Sequence, residues 1–203
     1  MALRLGSRFA LAAITAFTVV AAAVPAASAG SLLGLNNDCG ATSQPFARFG
    51  DSRLYTFGTN GGLESGGAGW ALSGASVVNG NESYYVHSTA DRYSLTLPAG
   101  ATATTPQLCM GTTSTVVRFF DRSANGGKLR VQIVLRNALG TVLGVVDWTT
   151  IQGSSAWQPS PSLLNLDSLL GLLGVSSIQL KFTALSGTSQ IDDVYVDPWW
   201  SRS

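Results

Sequence analysis

The chain has 203 residues, a formal net charge of +1, 11% charged side chains and 45% hydrophobic ones. That balance gives nucleic acid or an anionic lipid surface nothing to be attracted to. The apolar content excludes a disordered chain.

The N-terminus reads as a targeting segment. Arg4 and Arg8 precede an apolar run from Phe9 to Val24, and Ala27-Ser28-Ala29 has the small-residue pattern of a cleavage site. Residues 1–29 are therefore expected to be a signal peptide, leaving one domain over 30–203 that is secreted and extracellular. The apolar run is short for an anchor, so no membrane span is expected after cleavage. Without Arg4 and Arg8, ten basic residues face eleven acidic ones, a net charge of −1. Cys39 and Cys109 both lie in the exported part, where an even count reads as a disulfide. The competing use of the thiols, in metal binding or catalysis, has no CxxC spacing and no nearby His behind it. The loop closed spans about 70 residues, worth roughly 4 kcal/mol in the chain-entropy model.

From Gly30 to Asp38 the chain reads as a short arm that Cys39 ties to the body. Short strands broken by Gly and Asn turns follow. Arg53 to Phe57 alternates, with Leu54 on one face and Tyr55 and Phe57 on the other, and Asn60-Gly61-Gly62 is a turn. Trp70 to Leu72 and Ser76 to Val78 flank a second turn, and Asn79-Gly80-Asn81 is a loop. Tyr93 to Leu97 is an alternating strand ended by Pro98. Val116 to Phe120 and Leu129 to Arg136 read as two strands joined by an Asn125-Gly126-Gly127 hairpin turn. Val142 to Trp148 comes next. Ile178 to Ala184 and Gln190 to Asp197 close the domain around a Ser186-Gly187-Thr188 turn. One segment departs from the pattern: Leu163, Leu166, Leu169, Leu170 and Leu173 fall at helical spacing between Pro161 and Gly174. It reads either as a short helix capping the sheets or as an apolar patch that meets a partner. The expectation is an all-β fold, a two-sheet antiparallel jelly-roll sandwich with one short Leu-rich helix.

Two motifs near the ends of this domain put acidic side chains beside residues that ought to be buried, and a buried carboxylate needs a partner. They are Asn60-Gly61-Gly62-Leu63-Glu64-Ser65-Gly66 with Gly69-Trp70, and Ile191-Asp192-Asp193-Val194. Together, and with Gly74 to Val78, they resemble the opening and the last strand of carbohydrate-binding modules with the galactose-binding-like jelly-roll fold. The whole mature chain also resembles small secreted proteins of actinobacteria. The resemblance implies a structural calcium held by Glu64 and Asp192, a Trp70 packed in the core, and Leu63 in place of the family's Phe. Ca²⁺ accepts irregular oxygen shells of this kind. The other reading is that Glu64 and Asp192 accept backbone amides or pair with an Arg.

Sugar binding needs flat aromatic faces together with amide, hydroxyl or guanidinium groups. The candidates are Tyr84, Tyr85, Trp148, Trp157 and Arg118, with Gln132 and Arg136 on sheet faces and Trp199 and Trp200 near the C-terminus. Each aromatic has a structural alternative as a core or edge cover. No catalytic residue is assigned. His87 is the only histidine, near Asp91, but no GxSxG elbow accompanies it. Glu64, Glu82, Asp147 and Asp192 do not nominate a hydrolytic pair from spacing alone. The expected function is a secreted, monomeric, non-catalytic protein that binds a polysaccharide or cell-wall glycan. A structural or protein-interaction role at the cell surface is the alternative, and a small secreted hydrolase is the third.

Overall fold

The computed structural model describes residues 39–110, 115–162 and 174–197. The expected signal peptide, the arm at 30–38, the Leu163–Leu173 helix, Trp199 and Trp200 lie outside the described residues. These residues form ten strands: β1 (Thr42–Ser43), β2 (Tyr55–Phe57), β3 (Ala71–Ser73), β4 (Ser76–Asn79), β5 (Tyr93–Leu97), β6 (Thr102–Thr104), β7 (Val116–Arg136), β8 (Val142–Gln152), β9 (Gln158–Pro159) and β10 (Ser177–Asp197). All strand pairs are antiparallel. The result is the all-β jelly-roll sandwich that the strand pattern predicts.

Two strands organise it. β7 and β10 are each 21 residues long and pair with each other from end to end. In the first sheet, Ser189–Ile191 of β10 pairs with β5, which pairs with β4. Tyr195 and Val196 pair with β2, which pairs with β1, and Phe120 and Asp121 of β7 pair with β9. In the second sheet the order is β3-β6-β10-β7-β8. The ribbon passes from one sheet to the other at a register shift around Ser186 to Thr188.

This passage corrects two expected turns. Asn125-Gly126-Gly127 and Ser186-Gly187-Thr188 do not reverse the chain; they lie opposite each other as bulges inside continuous strands. Asn125, Gly126 and Gly187 all have positive φ, at 60°, 63° and 64°. A Cβ on Gly187 would come within 2.8 Å of the Gly127 Cα. The bend therefore needs glycine where the two backbones meet, which is the use bulges make of residues that also build hairpin turns.

The core lies between the sheets. Val117, Phe119, Ile191 and Val196 from the first sheet join Leu129, Val131, Ile133, Leu180 and Phe182 from the second in one buried cluster. Trp70 belongs to it and donates its indole N–H to the Asn60 carbonyl at 3.0 Å, and Leu63 is fully buried there. A second cluster covers the outer side of the first sheet: Phe46, Tyr55, Val116, Phe120, Trp157 and Tyr195, with Phe49 and Tyr84 partly buried against it. Each aromatic buried this way contributes about 1.5–3 kcal/mol through surface removed from water. Cys39 and Cys109 are joined in the expected disulfide.

Candidate functional site

Strand period decides what the second sheet shows to solvent. Leu129, Val131, Ile133 and Leu135 point inward, so Arg130, Gln132 and Val134 point outward. Register then aligns two polar rows across four strands. One row is Thr102, Thr183, Arg130 and Thr150; the next is Thr104, Lys181, Gln132 and Asp147. Asp147 accepts the Gln132 side-chain amide at 2.8 Å. Across the register shift between Val131 and Gln132, β8 carries the extra residue Trp148. Its ring leans on the core and lines a groove of about 300 Å³ with Arg130, Asp147, Thr149 and Thr150. One half-buried indole beside a guanidinium, a carboxylate and hydroxyls is the chemistry a sugar ring calls for.

The other aromatic candidates lie elsewhere. Tyr84 packs edge-on to Phe49 and donates its hydroxyl to the Trp157 carbonyl at 3.1 Å. Trp157 is only 5% exposed and lies under the Arg122 guanidinium. Tyr85 is exposed and has φ +50°. Arg118 spends its guanidinium on the Ser160 carbonyl, at 3.1 and 2.7 Å, and on Asp51 at 2.8 Å, with Phe46 beneath it. Tyr84, Trp157 and Arg118 thus serve the aromatic layer over the first sheet, and Trp148 stands apart from them in the second.

The two end motifs do meet. Gly58 N–H donates to the Val194 carbonyl at 2.9 Å, and Val194 N–H donates to the Gly61 carbonyl at 3.2 Å. A Cβ on Gly61 would stand 2.7 Å from that Val194 oxygen, so the contact requires glycine. Around this junction lies a group of acidic residues. Glu64 Oε1 accepts the Arg92 and Tyr93 amides at 2.8 and 2.9 Å. Asp192 Oδ2 accepts the Glu82 amide at 2.8 Å, and its Oδ1 accepts the Asp193 amide at 2.9 Å. Glu82 in turn accepts the amides of Tyr84 and Val86. Burial pushes the Asp192 carboxyl up to about 9, helped by the neighbouring Asp193. Burial also lifts Glu82, against the pull of its amide donors.

As a calcium pair, Glu64 and Asp192 therefore fit poorly: both Asp192 oxygens and one of Glu64 already serve backbone donors. This is the amide-accepting arrangement that the sequence leaves as the second reading. The side chain left over is Asp193, which sequence reasoning passed by. Its signal was present: two adjacent acids inside Ile191–Val196 cannot both face water if the alternation holds.

No family model matches the chain, and no curated protein does. Several solved structures resemble it. The enzymatically active domain of bacteriophage CBA120 tailspike protein 4 gives a TM-score of 0.49 at 13% identity, over 68% of this chain and 20% of that one. TmCBM61, in complex with β-1,4-galactotriose, gives 0.46 at 19% identity, over 70% and 97%. The CBM22-1 xylan-binding domain of Xyn10C from Paenibacillus barcinonensis gives 0.44 at 11% identity, over 66% and 88%. The chain thus spans about a fifth of the tailspike's length and most of each module. At these identities the likeness is one of fold.

Proposed function

We propose that this protein is a secreted, non-catalytic carbohydrate-binding domain that meets its glycan on the outer face of the second sheet. The observation that carries the reading is the groove at Trp148. It joins an indole to Arg130, Asp147 and Thr150 and continues into rows of hydroxyl, amide and ammonium groups across four strands. Such a face satisfies sugar hydroxyls by direct and water-bridged hydrogen bonds while the indole takes an apolar ring face. Only one of the groove's lining residues is acidic, whereas glycoside hydrolysis generally calls for two flanking carboxyl groups. His87 Nδ1 does face Asp91 at 2.7 Å, as a base and its orienting acid would. Among the described residues no hydroxyl is hydrogen-bonded to that ring, as a nucleophile served by it would be. The disulfide and the neutral surface suit an extracellular setting.

The test is retention on insoluble xylan, galactan, cellulose and cell-wall preparations. The wild type should be retained on at least one of them. Trp148→Ala and Arg130→Ala should be washed off, and Tyr85→Ala should stay. A wild type that binds none of the four, or a Trp148→Ala variant retained as well as the wild type, would sink the reading.

A further inference from the structure

Asp193 sits at the register shift of β10, fully buried, with its backbone in the left-handed region at φ 47°. Neither carboxylate oxygen has a hydrogen bond of ordinary geometry, and the His87 amide is the donor that comes near. A buried carboxylate with so little hydrogen bonding is unfavourable, and left-handed backbone at a non-glycine residue adds strain. Its acidic neighbours Asp192, Glu82 and Glu64 are all supplied with amides. A group this poorly placed needs either a proton or a cation.

The surroundings favour the cation. Ligand atoms of His87, Asp91 and Asp193 all lie within 4.8 Å of one another. His87 is fixed on both sides: Nδ1 faces Asp91 Oδ2 at 2.7 Å, and the ring stacks on Phe57 with centroids 3.8 Å apart. The His87 side chain is still 38% exposed, which leaves a way in from solvent. Gly62 keeps the opposite wall open, since a Cβ there would stand 2.9 Å from Asp193 Oδ1 and 3.9 Å from Asp91 Oδ2.

We infer that His87, Asp91 and Asp193 form a binding site for a divalent transition-metal ion of the zinc class. Imidazole nitrogen and carboxylate oxygen are both donors that such ions accept, and a water completes a four-coordinate shell. Calcium takes six to eight oxygens, so an imidazole suits it badly. The bound ion takes the place of the His87–Asp91 hydrogen bond, and the proton of that contact is released to water. Those two atoms then part to the roughly 3.3 Å between neighbouring ligands that a tetrahedral zinc shell sets. The ion ties the loop that carries Tyr84 and Tyr85 to the last strand. This site stands apart from the Trp148 groove and does not depend on the glycan reading.

The experiment is calorimetric titration and thermal melting of the full, metal-stripped chain with zinc chloride and, separately, calcium chloride. Zinc should bind and raise the melting midpoint, and calcium should not. Asp193→Asn and His87→Ala should each lose the zinc-induced rise, and Glu64→Gln should keep it. His87 is partly exposed, so its variant folds even where the buried Asp193→Asn does not. Absence of zinc binding in the wild type overturns the inference. So does a zinc-induced rise retained in His87→Ala, or a calcium response that Glu64→Gln abolishes.

Discussion

β7 and β10 present two outer faces along one pair of strands. In the first sheet the outward residues Val116, Phe120 and Tyr195 lie under Phe46, Phe49 and Trp157. In the second sheet the outward residues Arg130, Gln132, Lys181 and Thr183 are only partly buried, with Trp148 set among them. Strand period alone is the same in both halves. What differs, among the described residues, is whether another segment of chain lies on top, and where one does the outward positions are largely aromatic. A sheet face can meet a glycan only where the sandwich leaves it uncovered.

Truncations on the two faces should differ most in stability. Phe120→Ala, although outward-facing, removes a fully buried ring and should cost about 3–5 kcal/mol. Urea unfolding would measure it, and a loss below about 1 kcal/mol would mean the aromatic layer is not a true second core. Next in size is the disulfide, which ties Cys39, just before β1 in the first sheet, to Cys109 after β6 in the second. Reducing it, or Cys39→Ser with Cys109→Ser, should cost about 2–4 kcal/mol, read as a lower urea midpoint. A smaller effect comes from Asp121, buried on the core side of the first sheet, where burial pushes its carboxyl up to about 7 against a Gln158 hydrogen bond. The folded state holds that proton more tightly than the unfolded chain. This contribution is fully present below about pH 4 and fades as pH rises through about 7. Asp121→Asn should flatten that part of the pH–stability curve, and an unchanged slope between pH 4 and 8 would refute the assignment. Smallest is Gln132→Ala on the bare face, expected within about 0.5 kcal/mol of wild type. The same variant should still weaken glycan retention, which separates a binding face from a merely polar one.

Much of the frame was legible in the sequence. The alternation of Leu129 to Leu135, the strand from Tyr93 to Leu97, the Cys39–Cys109 pair and the meeting of the two end motifs all reappear in the structure. The turns at Asn125-Gly126-Gly127 and Ser186-Gly187-Thr188 misled, because a hairpin and a bulge call on the same residues for positive φ. Only long-range pairing tells them apart. The burial of Trp157 was hidden for a similar reason: its local neighbours are polar, and its cover comes from residues more than 30 positions away, such as Arg122. The His87–Asp91 spacing was visible, but its third member lies about 100 residues along the chain, and only the fold brings it near.

The glycine-lined bend at Gly126, Gly127 and Gly187 has a mechanical consequence. No loop separates the two sheets along β7 or β10, so neither can slacken without pulling on the other. The protein should therefore unfold as a single cooperative unit, and amides in both halves of β7 should exchange hydrogen at similar rates. Damage to the aromatic layer would then loosen the strands of the proposed binding face from behind. Affinity for a ligand would come to depend on a surface that the ligand never touches.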